Sequence, residues 1–365
     1  MKIIICGFGS AGYSAAMAIK RNNSKTQITV VDPKETDLVH PCGLPYAIEG
    51  IVNNIDLLQD LDLHRSGINK IKGKGEKISY NEKIITIKTD NGLKTDSYDK
   101  LIIASGSTPI IPSITNIERY LNLSVFTMAG VHDLSFIQER IKTSQNCVIV
   151  GGGAIGIETA YAIRMNKKEV TIIEMENQLL KGIIDPDMSA LAESYIESLG
   201  IRIIKEDTAI CFEGDKCLNH VICSHASIAA DMAIIAAGFR PEISLALNSD
   251  IKATAAGIKT DEMLKTSAPD IYAAGDCIMN YSSIDGKPIT SRLATSAYKQ
   301  GTAAAINAIG GEERYGGSTG TFVTKLGNFE IAGTGFNTAT AAERGFEPMA
   351  GKITSKINPE YYPGN

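Results

Sequence analysis

The sequence predicts an α/β fold in which one nucleotide-type unit sits inside another, and three observations predict it. The first is "KIIICGFGSAG", an apolar strand that runs into Gly7-x-Gly9-x-x-Gly12. The second is its recurrence in "CVIVGGGAIGIETA", which gives Gly151-x-Gly153-x-x-Gly156. The third is an acid at the end of the strand that follows each: Asp32, 25 residues after Gly7, and Glu174, 23 residues after Gly151. A lone glycine fingerprint is weak. A strand, a glycine turn, a helix and an acidic strand end together define a Rossmann-like dinucleotide-binding unit. The glycines let the backbone approach a pyrophosphate at the helix N-terminus, and the acid accepts hydrogen bonds from ribose hydroxyls.

Each element follows in order. An alanine-rich helix extends from the first loop to about Lys20, with Ser10 and Ala11 inside the loop, and "QITVV" ends at Asp32 before Pro33. Alternating residues and the Asn91-Gly92 turn in "KISYNEKIITIKTDNGLKTDSYDKLIIASGSTP" predict a β-meander that returns to a parallel strand, "KLIIASG". After the second unit the layout repeats: short strands, "DMAIIAAGFRP", then "APDIYAAGDCI". The first domain is therefore interrupted. It covers residues 1–111, gives way to the second unit over 112–247, and resumes over 248–320. Two such units mean two dinucleotides, or one dinucleotide and a relay. Glu174 favours a free 2′-hydroxyl, and the loop "MENQLLKG" has Lys181 as its one cation, so the second unit is expected to take NADH in preference to NADPH.

Composition removes other classes. The 365 residues carry a net charge of -5 and no basic run long enough to track nucleic-acid phosphates. The apolar runs fall well short of the roughly 20 residues of a membrane span. Gly and Ser interrupt the apolar N-terminus at once, so no signal peptide is expected there. The seven cysteines form no Cys-x-x-Cys pair, which fits a reducing, cytoplasmic setting better than a disulfide scaffold. Cys211, Cys217 and Cys223 lie near His220 and His225, but zinc sites favour tighter ligand pairs, and no metal is expected.

The two fingerprints, "LIIASGSTP", "AIIAAGFRP" and "IYAAGDC", in this order, resemble the FAD- and NAD(P)-dependent pyridine nucleotide–disulfide oxidoreductases over essentially the whole chain. "HPCGLPYAIEG", "RLATSAYKQG" and "YYPGN" narrow the resemblance to the single-cysteine branch: coenzyme A-disulfide reductases, NADH oxidases and peroxidases, and NADH-dependent polysulfide or persulfide reductases. That resemblance implies an FAD domain, an NAD domain and a C-terminal dimerisation domain. It assigns Gly7, Gly9, Ser10, Ala11, Gly12, Asp32 and Pro33 to the adenosine end of FAD. Ser105, Gly106, Gly275 and Asp276 would follow the flavin, with Asp276 at the ribityl chain. Leu293, Ala294 and Thr295 would lie by the isoalloxazine, where a helix N-terminus stabilises negative charge. Gly151, Gly153, Ile155, Gly156, Glu158, Glu174 and Gly238 would belong to NADH.

Cys42 is the exit this resemblance implies. Two-cysteine relatives carry Cys-x4-Cys against the flavin; here the fifth position beyond Cys42 is Ala47. Electrons reaching Cys42 then pass to a mixed disulfide, a persulfide or a sulfenic acid. The chemistry needs a thiolate, and Pro41 ahead of a helix-compatible "LPYAIEG" predicts a pKa-lowering helix N-terminus. A small buried thiol at a turn is the plainer alternative. His40 is a candidate acid, as well placed to be a solvated histidine. Tyr361 or Tyr362 would, in relatives, reach the partner subunit's thiol site. Lys20 and Arg21 end the first helix where relatives meet coenzyme A phosphates, although cations also complement a helix C-terminus.

The branch is chosen by departures. Ser10 stands where oxidases and peroxidases carry a histidine, and "CGLPY" matches the disulfide and polysulfide reductases better. Against that, the Ser-Phe of many coenzyme A-disulfide reductases is replaced by Leu38 and Val39. Ala154 replaces an aromatic that covers the flavin in many relatives, which favours reaction with oxygen as a side activity. The expected acceptor is a coenzyme A disulfide, persulfide or polysulfide, with NADH oxidation by oxygen the alternative. A thiol-independent reductase of rubredoxin or ferredoxin is a rival that Cys42 argues against, and a non-enzymatic redox sensor one that the intact motifs argue against. The segment 321–365 begins like the interface domain and stops short of its usual length, so a homodimer is expected only if this shortened form suffices.

Overall fold

The computed structural model describes residues 1–355. Strand β1 (Lys2–Cys6) leads through the glycine turn into α1 (Ser10–Asn22), and β2 (Gln27–Asp32) returns beside β1. A 3₁₀ turn over Pro41–Gly43 runs directly into the short helix α2 (Leu44–Glu49). Strand β3 (Ile68–Lys72) and the expected meander, Lys74–Ser79, Ile84–Thr89 and Gly92–Ser97, precede β4 (Lys100–Ile103). Then come β5 (Val125–Thr127), α3 (Val131–Thr143), β6 (Asn146–Val150), α4 (Ala154–Met165) and β7 (Glu169–Ile173). They are followed by α5 (Pro186–Ser198), β8 (Ile201–Ile204) and β9 (Met232–Ile235). Strand β10 (Ile271–Ala273) and α6 (Ala294–Ala308) return to the first sheet. The hairpin β11 (Phe322–Leu326) and β12 (Phe329–Gly333) and helix α7 (Thr338–Glu343) follow.

Two five-stranded parallel sheets result. Their orders are β10-β4-β1-β2-β3 and β5-β9-β6-β7-β8. Parallel strands are covered on both faces, which is why "IIIC", "ITVV" and "CVIV" read as unbroken β-branched runs. The chain crosses between the sheets twice, where Ser107–Pro109 pairs antiparallel with Phe239–Pro241. Helix α1 packs on α6 through small residues; a Cβ at Gly301 would meet the Ala11 carbonyl oxygen at 2.1 Å.

Helix α2 lies between β2 and β3 of the first sheet in sequence but packs against elements of the second sheet. Leu44, Ala47 and Ile48 are buried in the cluster built around α3, α4 and β6. Burial of a leucine or isoleucine stabilises by about 1.5–3 kcal/mol, so this short helix is anchored by its contacts and not by its own length. Gln138 on α3 donates to the Ala47 carbonyl at 3.0 Å, and Asn166 beyond α4 donates to that of Ile48 at 2.8 Å. No helix among the described residues is long and apolar enough to cross a membrane.

Candidate active site

The two glycine turns are near copies. Gly7 has φ +102° and Gly151 φ +114°, the region where a side chain is strained. Cβ atoms there would meet Ala104 O at 2.1 Å and Ala236 O at 2.5 Å. At Gly12 and Gly156 a Cβ would meet the carbonyl oxygens of Gly7 and Gly151, each at 2.0 Å. At Gly9 and Gly153, by contrast, nothing lies within 4 Å of a Cβ, so the backbone is open to a ligand. The acids respond alike: Asp32 accepts from the Phe8 amide at 2.6 Å, and Glu174 from the Gly152 amide at 2.6 Å. Ser10 opens α1, Ala11 is buried beneath the turn, and Pro33 is exposed after Asp32. Ile155 is exposed in the first turn of α4, next to Ala154. An open central glycine flanked by two clashing ones fits a pyrophosphate in both cradles.

Further groups converge beyond the first cradle. Gly275 has φ +86°; a Cβ there would meet that of Ala11 at 2.9 Å, and its amide donates to Gln300 Oε1 at 2.8 Å. Asp276 follows and accepts from the Ser107 hydroxyl at 3.0 Å. Burial pushes its carboxyl up, while Ser107 and the Arg292 guanidinium oppose that. Arg292 Nε is buried with no hydrogen-bond partner among the described residues, an orphaned donor beside Asp276. Leu293 precedes α6, and Ala294 and Thr295 are exposed in its first turn. A cavity of about 320 Å³ there is lined by Leu293, Thr295, Ser296 and Lys299. These polar groups and this helix N-terminus fit the ribityl and ring portions of FAD. Ser105 and Gly106 instead bond Glu242 of the return crossing, and Gly238 accepts from the Ile110 amide, so these three tie the crossings together.

All seven cysteines are free, and Cys42 alone is exposed. The Gly43 that follows is required by packing, since a Cβ there would meet Leu57 Cδ2 at 2.2 Å. The expected thiolate-favouring helix terminus is corrected by the structure. Cys42 lies in the 3₁₀ turn, two residues ahead of the six-residue α2. Its thiol is held above the ordinary value by partial loss of hydration and by the facing carboxylate of Glu158; a backbone hydrogen bond lowers it and Asp276 raises it further.

Glu158 therefore faces more than the second cradle. It lies on α4 and accepts a hydrogen bond from the Thr324 hydroxyl of β11. Burial pushes its carboxyl up, and Thr324 offsets part of that. Tyr46, one turn beyond Cys42, has its phenol raised by burial and by Glu158, with Lys325 opposing and Glu49 and Cys42 adding. Sequence reasoning passed over Tyr46, Arg292, Thr324 and Lys325. Tyr46 and Arg292 stood inside the quoted motifs; Thr324 and Lys325 carried no local signal.

His40 is exposed, and its backbone bonds Leu57 and Gly43. Lys20 Nζ donates to the Thr26 carbonyl at 3.2 Å, and Arg21 is exposed; both are at the end of α1 away from the glycine turn. Tyr361 and Tyr362 lie outside the described residues. Among the described residues no cluster of three metal-ligating side chains occurs.

The family profile described as pyridine nucleotide-disulphide oxidoreductase matches residues 1–302. The chain is 30% identical over 377 residues to an NADH oxidase of Methanocaldococcus jannaschii, covering all of this chain and 82% of that one. It is 30% identical over 370 residues to an NAD(P)H coenzyme A polysulfide/persulfide reductase of Pyrococcus horikoshii, again covering all of this chain and 82% of the relative. Among solved structures, reduced Bacillus anthracis CoADR-RHD superposes with a TM-score of 0.90 at 31% identity, over 95% of this chain and 63% of that one. The chain thus belongs to the pyridine nucleotide-disulphide oxidoreductases. It is an NAD(P)H-dependent oxidoreductase that works with FAD and NADH.

Proposed function

We propose that this enzyme uses NADH to reduce a disulfide, persulfide or polysulfide at Cys42, with coenzyme A-linked disulfides the favoured acceptors. The observation that carries the reading is the single exposed thiol, among seven free cysteines, in the turn whose facing groups include Glu158 and Asp276. With no second sulfur to close an internal disulfide, the oxidised partner of Cys42 must come from the acceptor.

Residues of the first cradle, with Gly275, Asp276 and Leu293 to Thr295, would hold FAD; those of the second cradle would hold NADH. Bound FAD supplies a ring that accepts a hydride equivalent and returns an electron pair. The chain's own part is at sulfur. The Cys42 thiolate attacks one sulfur of RS–SR′, the S–S bond breaks, and RS⁻ leaves with a proton. Two electrons originating in NADH then break the Cys42–S–S–R′ bond. The sum is NADH + H⁺ + RS–SR′ → NAD⁺ + RSH + R′SH.

In this reading residues 1–111 and 248–320 form the FAD domain and 112–247 the NAD domain. Residues 321–365 begin an interface for a homodimer, to be checked by sedimentation. Lys20 and Arg21 would meet acceptor phosphates, and His40 and the tyrosines near the C-terminus would serve the thiol. Seven free thiols fit a cytoplasmic setting.

The test is an anaerobic NADH titration of the yellow holoenzyme and of Cys42→Ser, with turnover on coenzyme A disulfide and on polysulfide. After mild oxidation with a disulfide, wild type should take up two more electrons than the variant, and Cys42→Ser should lose acceptor turnover. Equal uptake and full turnover by the variant would overturn the reading in favour of a thiol-independent reductase.

A further inference from the structure

Hydride passes between two bound nucleotides only when the reacting atoms are held about 3–3.5 Å apart, and a misplacement of about 1 Å costs about 100-fold in rate. The two cradles follow β1 and β6, which lie in different sheets, so the angle between the units must be fixed by contacts away from the cradles. Resting on the reading above, in which the first cradle holds FAD and the second NADH, we infer that Arg344 and Asp285 form a clasp that sets this angle. They are positioning residues for hydride transfer, acting through the packing of the second unit and not by touching either nucleotide.

The crossing ribbon and helix α2 join the units by backbone pairing and apolar packing. The segment 318–344 adds a link closed by side chains. It departs from a hairpin, Asn280–Tyr281 with Pro288–Ile289, that lies between β10 and α6 of the first unit. There the Ser318 amide donates to the Tyr281 carbonyl at 2.9 Å, and the Ser318 carbonyl accepts from the Ser283 amide at 3.1 Å. The segment then seats on the second unit. Tyr195 of α5 stacks on Phe329 of β12, ring centroids 4.5 Å apart, and donates to the Leu326 carbonyl at 3.0 Å. Asn337 donates to the Ile184 carbonyl at 3.1 Å, and the Thr338 amide and hydroxyl reach Asp185 Oδ1 at 2.9 and 2.5 Å. Asp185 stands at the N-cap of α5, yet its side chain makes no cap bond there. Helix α7 carries the chain back. Arg344 Nη1 donates to both carboxylate oxygens of Asp285, at 2.9 and 2.7 Å, and Nη2 to the Pro288 carbonyl at 2.8 Å. Asp285 is in the turn of the same hairpin from which the segment left.

Helix α7 is therefore a strut, about 9 Å long at 1.5 Å per residue, between Asp185 of one unit and Asp285 of the other. The end at Asp285 is built to hold. The two side chains are 17% and 8% exposed, the guanidinium lies 4.6 Å from the Phe336 ring centroid, and Lys287 Nζ donates to the Arg344 carbonyl at 3.3 Å. A planar guanidinium fixes direction as well as distance, which an ammonium does not. Lys352 and Asp187, further along the same segment, pair at 2.9 Å with both side chains more than half exposed. Such a pair holds little, and it serves as the comparison for the clasp.

The experiment is anaerobic stopped-flow reduction of FAD-loaded enzyme by NADH, followed by flavin absorbance, which yields the limiting rate and the Kd for NADH separately. Arg344→Ala and Asp285→Asn should each lower the limiting rate about 100-fold and leave Kd within about twofold. Arg344→Lys should recover part of that rate. The double variant Asp285→Asn/Arg344→Ala should be no slower than either single one, because both act through one contact. Dithionite, which reduces flavin without entering the second cradle, should reduce wild type and variants at equal rates. Lys352→Ala should change neither the limiting rate nor Kd. If a single variant does not retain FAD, Arg344→Lys and the double variant, which leaves no unpaired charge, carry the same readouts. A wild-type limiting rate in the clasp variants, a matching loss with dithionite, or equal slowing by Lys352→Ala would overturn the inference. If those results come while Gly156→Ala weakens NADH binding, only this inference falls; if Gly156→Ala binds NADH normally, the reading of the cradles falls with it.

Discussion

In the first cradle the acid is shut in. Asp32 is 3% exposed, accepts from the Phe8 and Lys34 amides, and is ion-paired with Lys34 Nζ at 2.7 Å. In the second cradle Glu174 is half-buried, accepts from the Gly152 and Glu176 amides, and has the exposed carboxylate of Glu176 as its neighbour. The backbones match within tenths of an ångström in their key hydrogen bonds, Gly7 to Val31 at 2.8 Å and Gly151 to Ile173 at 2.9 Å. The difference lies in the side chains at the rim. In the proposed function one turn geometry would serve both a cofactor that stays and a coenzyme that leaves each cycle; what differs between the cradles is a cation, Lys34, paired with the first acid and an anion, Glu176, beside the second.

Substitutions can break that comparison, and the largest effect belongs to the third glycines. Gly12→Ala and Gly156→Ala both push a methyl into a carbonyl oxygen, a clash of the kind that costs about 1–3 kcal/mol. Gly12→Ala should give colourless protein by flavin absorbance. Gly156→Ala should stay yellow and lose about tenfold or more in NADH affinity, read by quenching titration. Loss of FAD from both would mean that the cradles are not separable.

Next comes nucleotide choice. Glu174→Ala with Glu176→Arg should raise the NADPH-to-NADH ratio of kcat/KM by about 10–100-fold, since a repelling carboxylate is replaced by a guanidinium that pairs with a 2′-phosphate. An unchanged ratio would remove Glu174 from the ribose. A smaller effect is expected of Lys34→Met. Its ion pair is part-exposed, so FAD should dissociate only a few-fold faster on dialysis, about 1 kcal/mol or less.

The smallest effect sharpens the comparison at the sheet edges. Asp270 precedes β10, and Asp231 holds the same place before β9. Asp231 accepts from the Gln145 and Asn146 amides, whereas Lys100 and Lys83 bind Asp270 and hold its carboxyl below the usual range. A depressed folded value adds stability above the unfolded value of about 3.9, and that stability is lost as pH falls through the lower folded value. Asp270→Asn should therefore lower Tm slightly near pH 7, with the difference from wild type closing as pH falls below about 4, so that the acid arm of Tm against pH is flattened.

Spacing alone determined the two cradles, the meander, the sheet strands and the lone thiol, because each rests on contacts within a few residues or on a period of the backbone. Gly12 must be glycine because Gly7 lies five residues back, and both stand in one quoted stretch. Only the tertiary structure decided the surroundings of Cys42. Residues 42 and 46, 158, and 324 and 325 come from three separate parts of the chain, and no local pattern links them. The expectation of a lowered thiol pKa failed for that reason: it counted a six-residue helix and not the partial loss of hydration or the Glu158 carboxylate. Backbone conformation is set by short-range sterics and so is written locally. The protonation of a thiol is set by hydration and by charges in space, and those are known only once distant segments have packed.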